Sequence, residues 1–185
     1  GFEKHNLFKA NLTAKINFGN KYSTRPDGKF NIRNEKYPTL LLGYEKGFAA
    51  SEKKYNFGLV NTRIIYDVEL GNKGAIGLNI KAGKFFGAED ISFIDYKHFN
   101  GNQTNIGQTA SYLNVFNLLP YYSNSTNDAY FELHSEYNDN GFIMNKIPLL
   151  NKLKTNLIFG FHNLAVPNTK PYTEFSAGLD NLGFG

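Results

Sequence analysis

The chain has 185 residues, 41% hydrophobic and 19% charged, so it is neither disordered nor a bundle of membrane helices. Cys is absent, which excludes disulfide frameworks, thiolate metal sites and cysteine nucleophiles. The net charge is +4 and the pI near 9.1, yet Lys and Arg are scattered and form no basic patch, so nucleic acid is not an expected partner.

The first element is FKANLTAKINF, from Phe8 to Phe18. Phe8, Ala10, Leu12, Ala14, Ile16 and Phe18 alternate without error with Lys9, Asn11, Thr13, Lys15 and Asn17. Side chains on a strand point alternately to its two sides, so a period of two means two different surroundings. A shorter strand, TLLLGYEKG, is expected at Thr39 to Gly47, its inward face ambiguous. From Thr62 to Leu70 the residues Thr62, Ile64, Tyr66, Val68 and Leu70 oppose Arg63, Ile65, Asp67 and Glu69. From Ile76 to Ala82 the apolar Ile76, Leu78, Ile80 and Ala82 oppose Gly77, Asn79 and Lys81. AYFELHSEY sets Phe131, Leu133 and Tyr137 against Glu132, His134 and Glu136. LKTNLIFGFH and TEFSAGLD continue the pattern, with Leu153, Leu157, Phe159 and Phe161, then Phe175, Ala177 and Leu179, on their apolar sides. GNK at Gly71, NDNG at Asn138 and PNTKP at Pro167 read as turns. Residues 86–128 break the alternation and form a long loop; loops of this length are uncommon and usually functional or mobile.

Two environments fit these faces. One is a soluble antiparallel sheet with a core side and a water side. The other is a transmembrane β-barrel, lipid on one side and a polar lumen on the other. Eleven residues at roughly 3.4 Å each, tilted by about 45°, cover about 26 Å, close to the apolar band of such barrels. Soluble strands are usually about 5–6 residues long. Phe8, Phe18, Tyr44, Tyr66 and Tyr137 at strand ends suit interfacial girdles. The expectation is therefore all-β: an antiparallel up-and-down transmembrane β-barrel with about seven strands. Residues 1–185 would form a single barrel section of a longer protein, with 86–128 as its long loop. Phe8, Ala10, Leu12, Ala14, Ile16 and Phe18 would face lipid. Lys9, Asn11, Lys15, Arg63, Glu132, His134 and Glu136 would line the lumen.

Little in the chain suggests catalysis. Glu132-x-His134-x-Glu136 shares one strand face and is the one candidate metal cluster, since His and carboxylates hold transition metals. The plainer expectation is ion pairing with Lys or Arg of neighbouring strands, such as Lys154, and no cofactor. His98 and His162 are isolated in sequence, and no Ser lies in a Gly-x-Ser-x-Gly turn. In GNKGAIGLNIKAGKFFG the glycines lie in a strand pattern, where they permit bends or a crowded wall rather than a phosphate loop. Ile147-Pro148-Leu149-Leu150 reads as a tight turn between strands, because Pro removes a ladder donor, with a contact at the barrel's periplasmic rim as the functional alternative.

FNLLPYYSNSTNDAYFELHSEYNDNGFIMNKIPLLNKLK adds a resemblance. With YTEFSAGLDNLGFG, it resembles the C-terminal barrel of a Bacteroidetes outer-membrane family of unknown function. Members of that family often carry an N-terminal carboxypeptidase-regulatory-like domain. More distantly, the order of elements is similar to the sixteen-stranded barrels of the outer-membrane assembly and translocation superfamily; that likeness implies a partial barrel with the closing strands missing, an extracellular loop at 86–128 and a periplasmic turn at Ile147, Pro148, Leu149 and Leu150. The Arg-Gly-aromatic signature of that superfamily's long loop is absent. The resemblance implies a bacterial outer-membrane location, a non-enzymatic role in envelope transport or outer-membrane biogenesis, and two partners: the lipid bilayer and the rest of the same chain. The alternative is a soluble β-barrel or sandwich that binds a small apolar ligand.

Overall fold

The computed structural model describes residues 6–19, 21–26, 28–32, 36–101, 113–148 and 155–181. Seven antiparallel strands form one sheet: β1 (Phe8–Asn17), β4 (Thr39–Phe48), β5 (Phe57–Glu69), β6 (Ala75–Phe86), β7 (Ala129–Asn138), β8 (Asn156–Ala165) and β9 (Tyr172–Asp180). They lie side by side in chain order, an up-and-down meander with β1 and β9 as open edges. Between β1 and β4 in sequence, β2 (Lys21–Arg25) and β3 (Gly28–Ile32) pair as a separate hairpin. This hairpin is an addition to the strands expected from alternation, although Arg25-Pro26-Asp27-Gly28 carries the Pro-Asp-Gly turn signal. Among the described residues no helix is long and apolar enough to cross a membrane.

Turn chemistry explains the reversals. Gly71 and Gly74 take φ of 62° and 104° between β5 and β6. Asn140 and Gly141 take 46° and 79° after β7, and Asn168 takes 62° between β8 and β9. Gly and Asn enter this left-handed region at least cost, which is why GNK, NDNG and PNTKP end strands.

The register gives the sheet two faces. Leu12 opposes Tyr44, Tyr44 opposes Val60, Ile64 opposes Ile80, Ile80 opposes Leu133, and Phe161 opposes Phe175. Directly paired residues share a face, so an apolar surface runs across all seven strands. It holds Phe8, Ala10, Leu12, Ala14 and Ile16 from β1, and Leu40, Leu42 and Tyr44 from β4. No side chain on this outer face is buried, and Leu12 and Phe175 are 72% and 77% exposed. Phe18, just beyond β1, is exposed as well.

The opposite, inner face is covered by the described parts of the long loop. Residues 87–101 and 113–128 are tied together by a bridge between Lys97 and Thr126 and by Phe116 N–H donating to the Asn100 carbonyl (2.8 Å). Ala88, Ile91, Phe99, Phe116 and Leu119 of the loop pack on Phe57, Leu59, Phe85, Tyr130 and Leu164 of the sheet. The apolar core is therefore a loop-on-sheet core at one end of the inner face. Its presence explains why β5 begins five residues earlier than the alternation places it. Phe57 and Leu59 are inward and buried while Val60 is outward, so both faces are apolar there and the period is masked. Gly83 lies flat beneath the Tyr130 ring and Gly77 beneath Leu113, where a Cβ would collide; the glycines of this strand serve a crowded wall.

Candidate functional site: the covered polar face

Two cross-strand rows build the site. Arg63, Lys81 and Glu132 are direct neighbours on β5, β6 and β7. One row further along, Asn79, His134, His162 and Glu174 are direct neighbours on β6 to β9. Alternation turns all of them inward, and the register alone brings them into line.

The contacts form one chain. The Lys81 ammonium donates to Glu132 Oε1 (2.7 Å), which is also 2.7 Å from His134 Nε2. His134 Nδ1 is 2.7 Å from His162 Nδ1. A carboxylate only accepts, so His134 presents Nε2–H to Glu132, and the two Nδ1 atoms share one proton. Glu132, His134 and His162 are almost fully buried. The far atom of the chain, His162 Nε2, is the one buried side-chain N or O without a hydrogen-bond partner among the described residues. Gly160 closes on it: a Cβ there would lie 2.9 Å from Nε2 and collide with Ser176 Oγ.

The loop is clasped onto this row. Phe116, fully buried, lies over His134 with ring centroids 4.7 Å apart and meets Tyr172 edge-on at 5.8 Å. Glu174 accepts from the backbone N–H of Asn117 (2.6 Å) and Leu118 (3.1 Å) and from the Tyr172 hydroxyl (2.7 Å). Asn79 donates to the Leu113 carbonyl (2.5 Å) and to Asn114 Oδ1 (3.0 Å), while accepting from Arg63 Nε (2.8 Å). The buried polar groups thus hold the loop to the sheet as well as one another, and apart from His162 Nε2 their hydrogen bonds offset the cost of burying them.

At the other end of β7, Asp139 caps the reversal. Its carboxylate accepts from the backbone N–H of Leu157 (2.7 Å), Ile143 (2.8 Å), Gly141 (2.9 Å) and Met144 (3.4 Å). Burial pushes the acid up, but these four donors outweigh it and hold the carboxyl below its usual range.

The residues expected on the polar side all lie on it. Lys9 pairs with Asp95 of the loop (2.7 Å) and lies 3.8 Å from Glu45. Asn11 accepts from Thr13, and Lys15 is exposed. Arg63, Glu132 and His134 enter the network, and Glu136 lines a cavity of about 270 Å3 with Asn117, Ser176 and Asp180. The candidate metal trio of Glu132, His134 and Glu136, set in the sequence against plain ion pairing, is not brought to one point: Glu132 meets His134 Nε2, His162 takes the opposite side of that ring, and Glu136 lines the separate cavity. Among the described residues no group of three or more acidic or His side chains converges on one point. The partner of Glu132 is Lys81; Lys154, expected in that role, lies outside the described residues. His162, isolated in sequence, is the direct cross-strand neighbour of His134, because β7 and β8 are antiparallel neighbours across a long turn. His98 stays in the loop, its Nδ1 2.7 Å from Ser125 Oγ, among the rings of Phe93 and Tyr122. Of the turn at Ile147-Pro148-Leu149-Leu150, the half-open Ile147 and Pro148 follow a 3-10 turn at Met144–Lys146, and Leu149 and Leu150 lie outside the described residues. Periodicity could not expose the role of Glu174 or Phe116, since their partners are the backbone and rings of a distant loop.

Residues 1–179 match the C-terminal domain of a family of unknown function, DUF5686. The chain belongs to that family. No curated protein and no solved structure matches.

Proposed function

We propose that this DUF5686 C-terminal domain is a wall section of a transmembrane β-barrel in a bacterial outer membrane, a non-enzymatic protein of envelope transport or outer-membrane biogenesis. The carrying observation is the uncovered apolar face that crosses all seven strands, opposite a face that buries the Lys81–Glu132 pair and the histidines His134 and His162. Water-soluble monomers rarely expose so continuous an apolar surface, whereas a bilayer requires one. The open edges at β1 and β9 fit the same reading: further strands, from the rest of the parent chain, would pair with them and close the barrel. The folded-in loop would then sit in the lumen as a plug.

The alternative, a soluble sheet binding a small apolar ligand, is less favoured because a cavity of about 490 Å3 between loop and sheet is lined by the charged Lys9, Glu45, Arg63, Lys81, Asp95 and Lys97. Flotation with phospholipid vesicles tests the choice. A chain that floats with vesicles and folds only in detergent or lipid supports the barrel. A chain that is monodisperse and unfolds cooperatively in buffer alone overturns it.

A further inference from the structure

A cavity of about 490 Å3 lies between the loop and the sheet, beside the Lys81–Glu132 pair. Four cations line it: Lys9, Arg63, Lys81 and Lys97. Three carboxylates answer them. Lys9 is held by Asp95 and Glu45, and Lys81 by Glu132. Arg63 and Lys97 have no carboxylate partner among the described residues. Arg63 spends Nε on the Asn79 amide oxygen, which orients the guanidinium and leaves its outer donors available. Lys97 rests its ammonium 5.6 Å from the centre of the Tyr130 ring and 5.9 Å from that of Phe99. Aromatic faces attract a cation but do not neutralise it. Both Arg63 and Lys97 act on Lys81 as like charges, so the three are near enough to repel one another. The amides of Asn61 and Asn114 line the same space.

We infer that this cavity binds a small anion, with a phosphate or carboxylate group held between Arg63 and Lys97. A guanidinium fork and an ammonium flanking a polar cavity suit either group, because both present two oxygens in one plane. A bound anion would relieve the repulsion among Arg63, Lys81 and Lys97. One side of the cavity is the loop itself, through Ile94, Asp95, Tyr96, Lys97 and Asn114, so binding would also fasten the loop to the sheet. The inference deepens the barrel reading, since it names the solute chemistry that a plugged lumen would select, and to that extent rests on it.

The test is equilibrium dialysis of the folded full chain, in whichever medium keeps it folded, against inorganic phosphate and, separately, acetate. Saturable binding near one per chain is expected, for one or both probes. Arg63→Gln and Lys97→Gln should each weaken it roughly tenfold or more, while Lys53→Gln, in the exposed turn before β5 and outside the cavity lining, should leave it unchanged. Because Lys97 is a partly exposed loop residue, its variant keeps the test usable if Arg63→Gln does not fold. No saturable uptake of either probe, or equal uptake by wild type and Lys97→Gln, overturns the inference. Vesicle flotation of the same sample reports on the barrel reading separately, so the two can fail independently.

Discussion

Strands β1 and β7 have the same period-two pattern but not the same surroundings. In β1 (Phe8–Asn17) all but the last residue are exposed, on both faces. In β7 (Ala129–Asn138) the polar side chains Glu132 and His134 are 2% and 0% exposed, more deeply buried than the apolar Phe131 and Leu133 that alternate with them. Position in the sheet makes the difference. β1 is an edge with one strand neighbour, whereas β7 has β6 and β8 beside it and Phe116 of the loop above it. A polar face can therefore be the buried one, provided every charge on it has a partner.

The largest break in this contrast should come from the pair at its centre. Glu132→Leu leaves the Lys81 ammonium buried without its carboxylate, and about 3–5 kcal/mol of stability should be lost. Lys81→Met added to it should restore much of the loss, because an apolar pair replaces an ion pair; denaturant titration of the three proteins decides this. Next is Leu12→Arg on the outer face of β1. Leu12 is 72% exposed, so in water the change should cost under about 0.5 kcal/mol. At the middle of a bilayer it should cost about 2–4 kcal/mol, read as impaired folding into vesicles.

A smaller effect concerns Asp139. Its folded-state acid lies below the usual range, so the stability it confers is complete above the unfolded value, about pH 4. That stability is lost as pH falls through the depressed folded value. Asp139→Asn should cost roughly 1–3 kcal/mol at neutral pH and flatten the acid limb of a stability–pH curve; an unchanged acid limb would refute the assignment. Least affected should be Lys15→Gln on the exposed polar side of β1, within about 0.5 kcal/mol of wild type by the same titration.

These variants also mark how far the sequence could be read. The strands β1, β7 and β9 stand within a residue or two of where alternation places them, because each has unlike faces along its length; β4 does so too, although Leu40-Leu41-Leu42 left its inward face open. The starts of β5 and the end of β6 were hidden where the loop turns the inner face apolar too, at Phe57, Leu59 and Phe85. The hairpin of β2 and β3 escaped because its strands are five residues each, too short for a periodic signal, and only the Pro-Asp-Gly turn marked it. Glu132 and His134 were legible as a shared face. Their partners Lys81 and His162 were not, being 51 and 28 residues away from the groups they touch.

The amino-acid sequence by itself determined the all-β class, the two unlike faces and the main reversals, because side-chain alternation and positive-φ turns are local properties. Tertiary structure decided which polar residues meet, which face is covered and where the cavity lies. Those depend on strand register and on a loop returning over the sheet, which arise from contacts between residues far apart in the chain.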